Sequence, residues 1–524
     1  MIFDRVKSLD AILLTAEKKG LKRSLGAFQL TMLGIGGVIG TGIFVLTSEA
    51  AQKAGPGMLL SFVAAGFVCA VAALCYSELA SMVPVSGSAY TYTYAVVGEL
   101  LAWMVGWALI LEYAVGASAV AVGWSNHAVG LLEGLGFHFP SALSNADALM
   151  AHVETAFGSP ATPDMIAAMQ TGGWVNLPAI VITGLATWLL VVGTTESARV
   201  NAVLVGIKIV ALTGFIALTL PVLHASNFHP FMPTGGSGVL GAAASIFFAY
   251  VGFDAVSTAA EETKNPQRNV PIGLIGSLLI CTIFYLLVAS GAIGALGAQP
   301  VTSTAGAVLS PGSVEIAGRC AGIVAGGAVE PLVCSKEALV HVLDTIGWPG
   351  VGRLVGLAAV LALPSVVLMM MFGQTRVFFT MARDGLLPAR LASVHPRFRT
   401  PHVVTVVTGF AAALAAAFLP VGKLADYSNS GTLFAFLMVA VSVMVLRITD
   451  PGRTRPFRTP VVWIVAPLAI IGCLGLYVSL PLTAILVLPG WGALGLLIYF
   501  LYSRQRSYVG QGVIDADGDR DPAG

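Results

Sequence analysis

One lysine stands alone in a long apolar run. Lys208 lies in AVLVGIKIVALTGFIALTL, and no other charged residue falls between Val200 and Leu223. A run of that length and composition predicts a membrane-spanning helix. An ammonium at mid-membrane costs roughly 3 kcal/mol on insertion scales, so such residues usually face a functional cavity. The competing reading is a lysine that snorkels to the surface or pairs with a buried carboxylate. Lys208 sits about two turns inside the run, where snorkelling is strained. Glu112, in LILEYAVG, is a second intramembrane charge. Facing a pocket, it would favour a cationic side chain or relay a proton. Otherwise it makes a structural hydrogen bond to unwound backbone.

Backbone chemistry is available where a helix opens. The stretch GIGGVIGTGIF, 34–44, holds Gly34, Gly36, Gly37, Gly40 and Gly42. Each glycine weakens a helix by roughly 1 kcal/mol against alanine. A second stretch, FFAYVGFD at 247–254, places Gly252 close to Asp254. Unwound backbone in a membrane persists only where it lines a cavity or is buried in protein. Broken helices at corresponding places in two halves of a chain point to a transporter's substrate site. One glycine run alone would favour close helix packing. The run is not a dinucleotide loop. Ile39 stands where a GxGxxG beginning at Gly34 needs its third glycine, and no βαβ context surrounds it.

The elements that must position these groups are helices in lipid. Of 524 residues, 56% are hydrophobic and only 10% charged; soluble domains carry about 25% charge. An all-α, multi-pass membrane protein is predicted, with the lipid bilayer as its surroundings. Net charge is +1, which suggests no nucleic-acid partner. No HExxH or paired CxxC is present, so neither metal nor cofactor is expected. The first 26 residues carry charges and no long apolar core, so no cleavable signal peptide is expected.

Twelve spans are predicted, at 27–47, 58–83, 98–131, 175–194, 200–223, 238–260, 271–297, 353–382, 402–420, 428–447, 461–480 and 483–503. Spans 1 and 6 are the two broken ones. Their separation of five suggests an inverted repeat, spans 1–5 against 6–10, with 11 and 12 added. Of the 27 Lys and Arg residues, 21 fall on the side that both termini share, five on the other, and Lys208 between. That asymmetry predicts cytoplasmic termini and a multi-pass protein of the cell membrane. Residues 1–26 form a cytoplasmic segment, 27–503 the transporter domain, and 504–524 a disordered tail.

The connections are mostly read as solvated. Spans 4 and 5 are joined by a tight polar link, Thr194 to Val200. Loop 132–174 is polar and acidic. Loop 298–352 is long, with a short helix expected around Lys336–Thr345. Glu261–Pro271 and MARDGLLP read as solvated turns, with Arg383 and Asp384 as a candidate gate pair. Glu78 and Asp254 are candidate gating or structural groups that cap N–H groups or pair with arginines. Cys69, Cys75, Cys281 and Cys473 lie in apolar spans and read as core. Cys320 and Cys334 share one loop; they form a disulfide in an oxidising compartment, or stay as two free thiols.

Several stretches together resemble the amino acid–polyamine–organocation superfamily, and within it the twelve-span bacterial form of the cationic amino acid transporters. They are GIGGVIGTGIF (34–44), YSELASMVPVSGSAYTY (76–92), GWALILEYAVGASAVAVGWS (106–125), FFAYVGFDAVSTAAEETKNPQRNVPIGL (247–274), GQTRVFFTMARDGLLP (373–388), VHPRFRTP (394–401) and RPFRTP (455–460). The resemblance implies a leucine-transporter-type fold of five-plus-five inverted repeats and amino acid transport by alternating access, in many members driven by protons. It places Lys208 where proton-coupled relatives hold a lysine in the position of a sodium ion. It implies that Gly40, Thr41 and Gly42 offer N–H donors to a substrate carboxylate, since helix N-termini carry unpaired donors. Carbonyls near Ile39 and at Phe248, Ala249 and Val251 would accept from its ammonium. Phe248 matches an aromatic lid, and Ser365 in span 8 a further polar contact. Many relatives carry Asp where this chain has Ala108. Residues 302–333 are longer than the family's usual loop there.

Amino acid:proton symport is therefore the leading expectation. An exchanger of amines, polyamines or amino acids is the alternative, and Lys208 counts against it. A transport-like nutrient sensor would need a large cytoplasmic domain, which the tail is too short to supply. Eight scattered histidines and no nucleophile–base pair argue against an enzyme.

Overall fold

A computed structural model describes residues 5–7, 9, 25–83, 88–156, 166, 169–170, 172–193, 198–303, 306–311 and 313–512. Among the described residues, seven helices are long and apolar enough to cross a membrane, and five shorter apolar helices accompany them, one helix for each of the twelve expected spans. Span 3, Glu99–Gly134, is 89% buried over its apolar window and forms the centre of the bundle, against spans 8 (Pro349–Arg383) and 10 (Val421–Thr449). Span 5, Ala198–Thr219, and span 12, Leu482–Ile498, are 28% and 22% buried, which puts them at the lipid-facing edge.

Spans 1 and 6 are both interrupted. Span 1 runs as Ala27–Val38, opens at Ile39 and Gly40, and resumes as Thr41–Phe44 and then Leu46–Ala54. Span 6 runs as Gly235–Ile246, tightens to a 3-10 turn at Phe247–Tyr250, and is extended at Val251. Gly252 follows at φ +110°, a conformation open to glycine and few other residues, before helix returns at Ala255–Thr258.

Three expectations about connections change. Span 7, Pro266–Leu296, already begins inside the stretch expected to be a solvated turn. Asn265 turns the chain at φ +46°, and Pro266, with no N–H to satisfy, starts the helix. Residues 504–512 are ordered rather than part of a disordered tail, because the Ser507 hydroxyl donates to the buried Glu99 carboxylate and the Tyr508 N–H to the Asp384 carbonyl. Arg383 and Asp384 do not pair. Asp384 takes the Lys7 ammonium at 2.6 Å and the Tyr90 hydroxyl at 2.7 Å, while Arg383 lies over the Phe379 ring. Residues 194–197 of the link between spans 4 and 5 lie outside the described residues.

The loops on the opposite face carry structure that apolar periodicity does not reveal. An antiparallel pair, Ser144–Asn145 with Val175–Asn176, closes loop 132–174 around the helix Asp147–Ala156. The insert at 302–333 contains the helix Val314–Ala325, whose N-terminus is capped by Ser313. Cys320 and Cys334 form a disulfide. The expected short helix is Ala338–Thr345.

Just before it, burial and the nearby Glu133 and Asp344 carboxylates push Glu337 up to about 8, from an ordinary 4.5. A carboxyl raised in the folded state stabilises below pH 4.5, and that contribution is lost as pH rises through about 8. The melting temperature of the purified protein is therefore expected to fall between those pH values. Glu337→Gln should flatten that part of the profile; an unchanged slope would contradict the assignment.

Candidate functional site

The two breaks meet backbone to backbone. A Cβ added at Gly252 would lie 3.0 Å from the Gly37 carbonyl, and one added at Gly42 would lie 2.3 Å from the Ala249 Cα. Glycine is required at both places because two main chains occupy the space a side chain would need. Span 3 closes one wall. Thr41 sits against Gly123, and the Phe248 ring against Gly116. Span 8 closes another through Val366, whose methyls are 3.5 Å from the Cβ position of Gly40. Ile39, Gly40, Thr41, Gly42, Phe248, Ala249 and Val251 are thus brought together, all buried. The Thr41 hydroxyl is buried and has no hydrogen-bond partner among the described residues.

Lys208 is 0% exposed, and its ammonium donates to the Gly36 carbonyl at 2.8 Å. This carbonyl lies in the last turn before the span 1 break, where the helix can no longer supply its own donors. The side chain therefore reaches inward to the broken helix and does not snorkel.

Sequence reasoning missed Tyr285 of span 7. Its hydroxyl lies 2.7 Å from the carbonyls of both Val38 and Ala249, one from each broken helix. A hydroxyl has one proton, so the two carbonyls share it. This changes the expectation for Ala249, whose carbonyl is engaged by Tyr285 and is not turned to a vacant space. The Phe248 carbonyl likewise accepts the Val251 N–H at 3.1 Å. A lone tyrosine inside an apolar run is the available signal, because a buried phenol needs a partner.

The remaining candidates separate. Glu112 is 0% exposed, and among the described residues its carboxylate makes no hydrogen bond of good geometry, with Thr432 nearby; its backbone carbonyl accepts from Ser428 at 2.9 Å. Asp254 accepts the Tyr113 hydroxyl of span 3 at 2.7 Å. The Ser365 hydroxyl donates to the Ala362 carbonyl at 2.7 Å, while the neighbouring Val366 lies against Gly40 of the break. Glu78 lies apart from the breaks, near the face that holds both terminal segments. It makes a two-pronged bond to Arg447 at 2.8 Å, pairs with Arg455 at 3.2 Å and caps the Thr459 N–H at 2.8 Å.

Ties hold the bundle on both sides of the breaks. On the terminal side, Arg5 pairs with Glu99 at 3.1 Å and Lys7 with Asp384. On the disulfide side, Lys53 of span 1 contacts Ser245 of span 6 and pairs with Asp426 of span 10 at 3.4 Å.

A bundle of twelve apolar helices whose first and sixth open against each other, with a buried lysine on one opening, is the architecture of a membrane transporter. The comparisons agree. The family model for amino acid permeases matches residues 25–490, and the chain belongs to that family, within the amino acid–polyamine–organocation superfamily. A branched-chain amino acid permease of Bacillus subtilis, BcaP, is 44% identical over 510 residues, covering 97% of this chain and 99% of the relative. A methylthioribose transporter of the same organism is 40% identical over 506 residues, covering 96% and 98%. Human cationic amino acid transporter 4 is 33% identical over 433 residues, covering 82% and 60%. The family is one of transporters, not enzymes.

Proposed function

We propose that this protein carries a neutral, apolar amino acid across the cell membrane together with a proton. The observation that carries the reading is the Lys208 ammonium on the Gly36 carbonyl at the break. Protonated, Lys208 holds the unwound end of span 1. After losing its proton to the other side it releases that end, and the balance between the two open states shifts. The substrate's carboxylate takes the N–H groups of Gly40, Thr41 and Gly42, and its ammonium the carbonyls at Ile39 and Val251. Glu112, buried in span 3, is the relay group.

An apolar substrate is favoured over a basic one. Phe248 and Val366 line the break, and Ala108 stands where, by the family resemblance, many relatives carry Asp. The name of the Bacillus subtilis relative supports the branched-chain class. Both termini are placed in the cytoplasm. The concentration of Lys and Arg on their side supports this, as does a disulfide on the other, since disulfides persist in oxidising compartments.

Thermal-shift measurement against the twenty amino acids, an amine lacking the carboxylate, and methylthioribose tests the substrate class. Stabilisation grows with ligand concentration over Kd. Leucine, isoleucine and valine are expected to raise Tm most. A shift with the amine or the thiosugar, and none with any amino acid, would overturn the reading.

A further inference from the structure

We propose that a cavity on the disulfide side of span 1 is a second amino-acid site. There Glu49 receives the ammonium, Asn126 the carboxylate, and the 302–333 insert forms the roof. The proposal rests on the amino acid reading above.

The cavity measures about 160 Å³ and lies beyond Val45, on the far side of Phe44 from the breaks. That is room for several waters or one small amino acid. Its walls mix apolar side chains, Val122, Ile316 and Val333, with Glu49 and Asn126. Val122 and Asn126 are one turn apart and share a face of span 3.

Two polar groups in it are unmatched. The Glu49 carboxylate accepts no hydrogen bond and pairs with no cation within 4 Å among the described residues. Lys53, one turn on, gives its ammonium to Ser245 and Asp426 instead. The Asn126 amide likewise makes no hydrogen bond among the described residues. A partly buried carboxylate without a donor is costly, and a bound ammonium would remove that cost. The carboxylate lies against Gly422: a Cβ there would be 2.1 Å from Glu49 Oε2, so alanine would push this flexible side chain out of its present position. One acceptor of negative charge and one amide donor, among apolar side chains and beside polar groups that already have partners, suit a small dipolar ion with an apolar side chain.

The insert completes the site. Cys320, Cys334 and Ile316 all line the cavity, so the disulfide fixes its roof. Gln52, on span 1, binds that roof to the broken helix. Its amide donates to the carbonyls of Val301 and Leu309 at 2.8 and 2.9 Å, and accepts from the Val301 N–H at 2.8 Å. Lys336 and Asp147 pair at 3.5 Å at the side wall. The roof therefore travels with the segment of span 1 that carries Glu49.

Equilibrium binding of radiolabelled L-leucine to the purified full-length protein tests the proposal. Wild type is expected to bind two leucines per chain. Glu49→Gln should bind one, with the affinity of the remaining site unchanged. Gly422→Ala, which fills the space beside the carboxylate without altering charge, should also lose one. A single leucine in wild type and both variants would overturn the second site and leave the transport reading standing. Two in every case would overturn the assignment to Glu49. No leucine bound to wild type would overturn the branched-chain reading itself, and the second site with it.

Discussion

Lys208→Ala is expected to abolish uphill uptake. In vesicles with an inward proton gradient, wild type should concentrate its amino acid, whereas the variant should reach only equal concentrations inside and out. Exchange of labelled for unlabelled amino acid should continue, because the groups that grip the substrate belong to the backbone at Gly40–Gly42. The cause is local. The substitution removes the bond from the Lys208 ammonium to the Gly36 carbonyl at 2.8 Å. A buried carbonyl left without a donor costs about 1–3 kcal/mol, so a drop in Tm should accompany the loss. Lys208→Met, which restores bulk but no donor, should behave as alanine does. Uphill uptake that persists in both variants and still responds to pH would contradict the coupling role.

Gly42→Ala is expected to lower transport at least tenfold, while Gly40→Ala costs far less. The two glycines are neighbours in one motif, yet their surroundings differ. A methyl at Gly42 would meet the Ala249 Cα at 2.3 Å, a main-chain atom of the other broken helix that cannot swing aside. A methyl at Gly40 would meet only the Val366 methyls, at 3.5 Å, an ordinary contact. The first substitution must push spans 1 and 6 apart; the second fits. Initial rates of leucine uptake at matched protein levels measure this. Equal losses would mean the closeness of the two breaks is not what the glycines provide.

The breaks were legible in the sequence because lipid removes alternatives. A glycine cluster such as 34–44 has few uses in a span other than close packing or unwinding, and a second interrupted stretch five spans later, Gly252 close to Asp254, narrows the choice. Lys208 was legible for the same reason: a lone ammonium there needs a partner. What that partner is depends on how helices far apart in the chain lie together. Gly36, in span 1, is the acceptor, at a sequence distance of 172. Tyr285 escaped notice because one phenol in an apolar run looks like packing until two carbonyls are found within its reach. Ser365 shows what sequence leaves open: a serine in a helix can give its proton to the preceding turn, as it does to Ala362, rather than to a ligand. Asp384 was paired with its neighbour Arg383 on proximity in sequence, whereas Lys7, at the other end of the chain, reaches it. The insert at 302–333 gave no signal of its role, since its wall-forming residues matter only beside Glu49 and Asn126.

The central claim is that amino acid and proton cross together through the opened helices. Purified protein in vesicles containing a pH-sensitive dye, with no ion gradient imposed and no amino acid inside, tests it most directly on adding labelled L-leucine outside. Coupled movement predicts acidification of the interior in step with leucine entry, at a fixed ratio of protons to leucine. Leucine entry with an unmoving internal pH, or entry that begins only once amino acid is loaded inside, would contradict it.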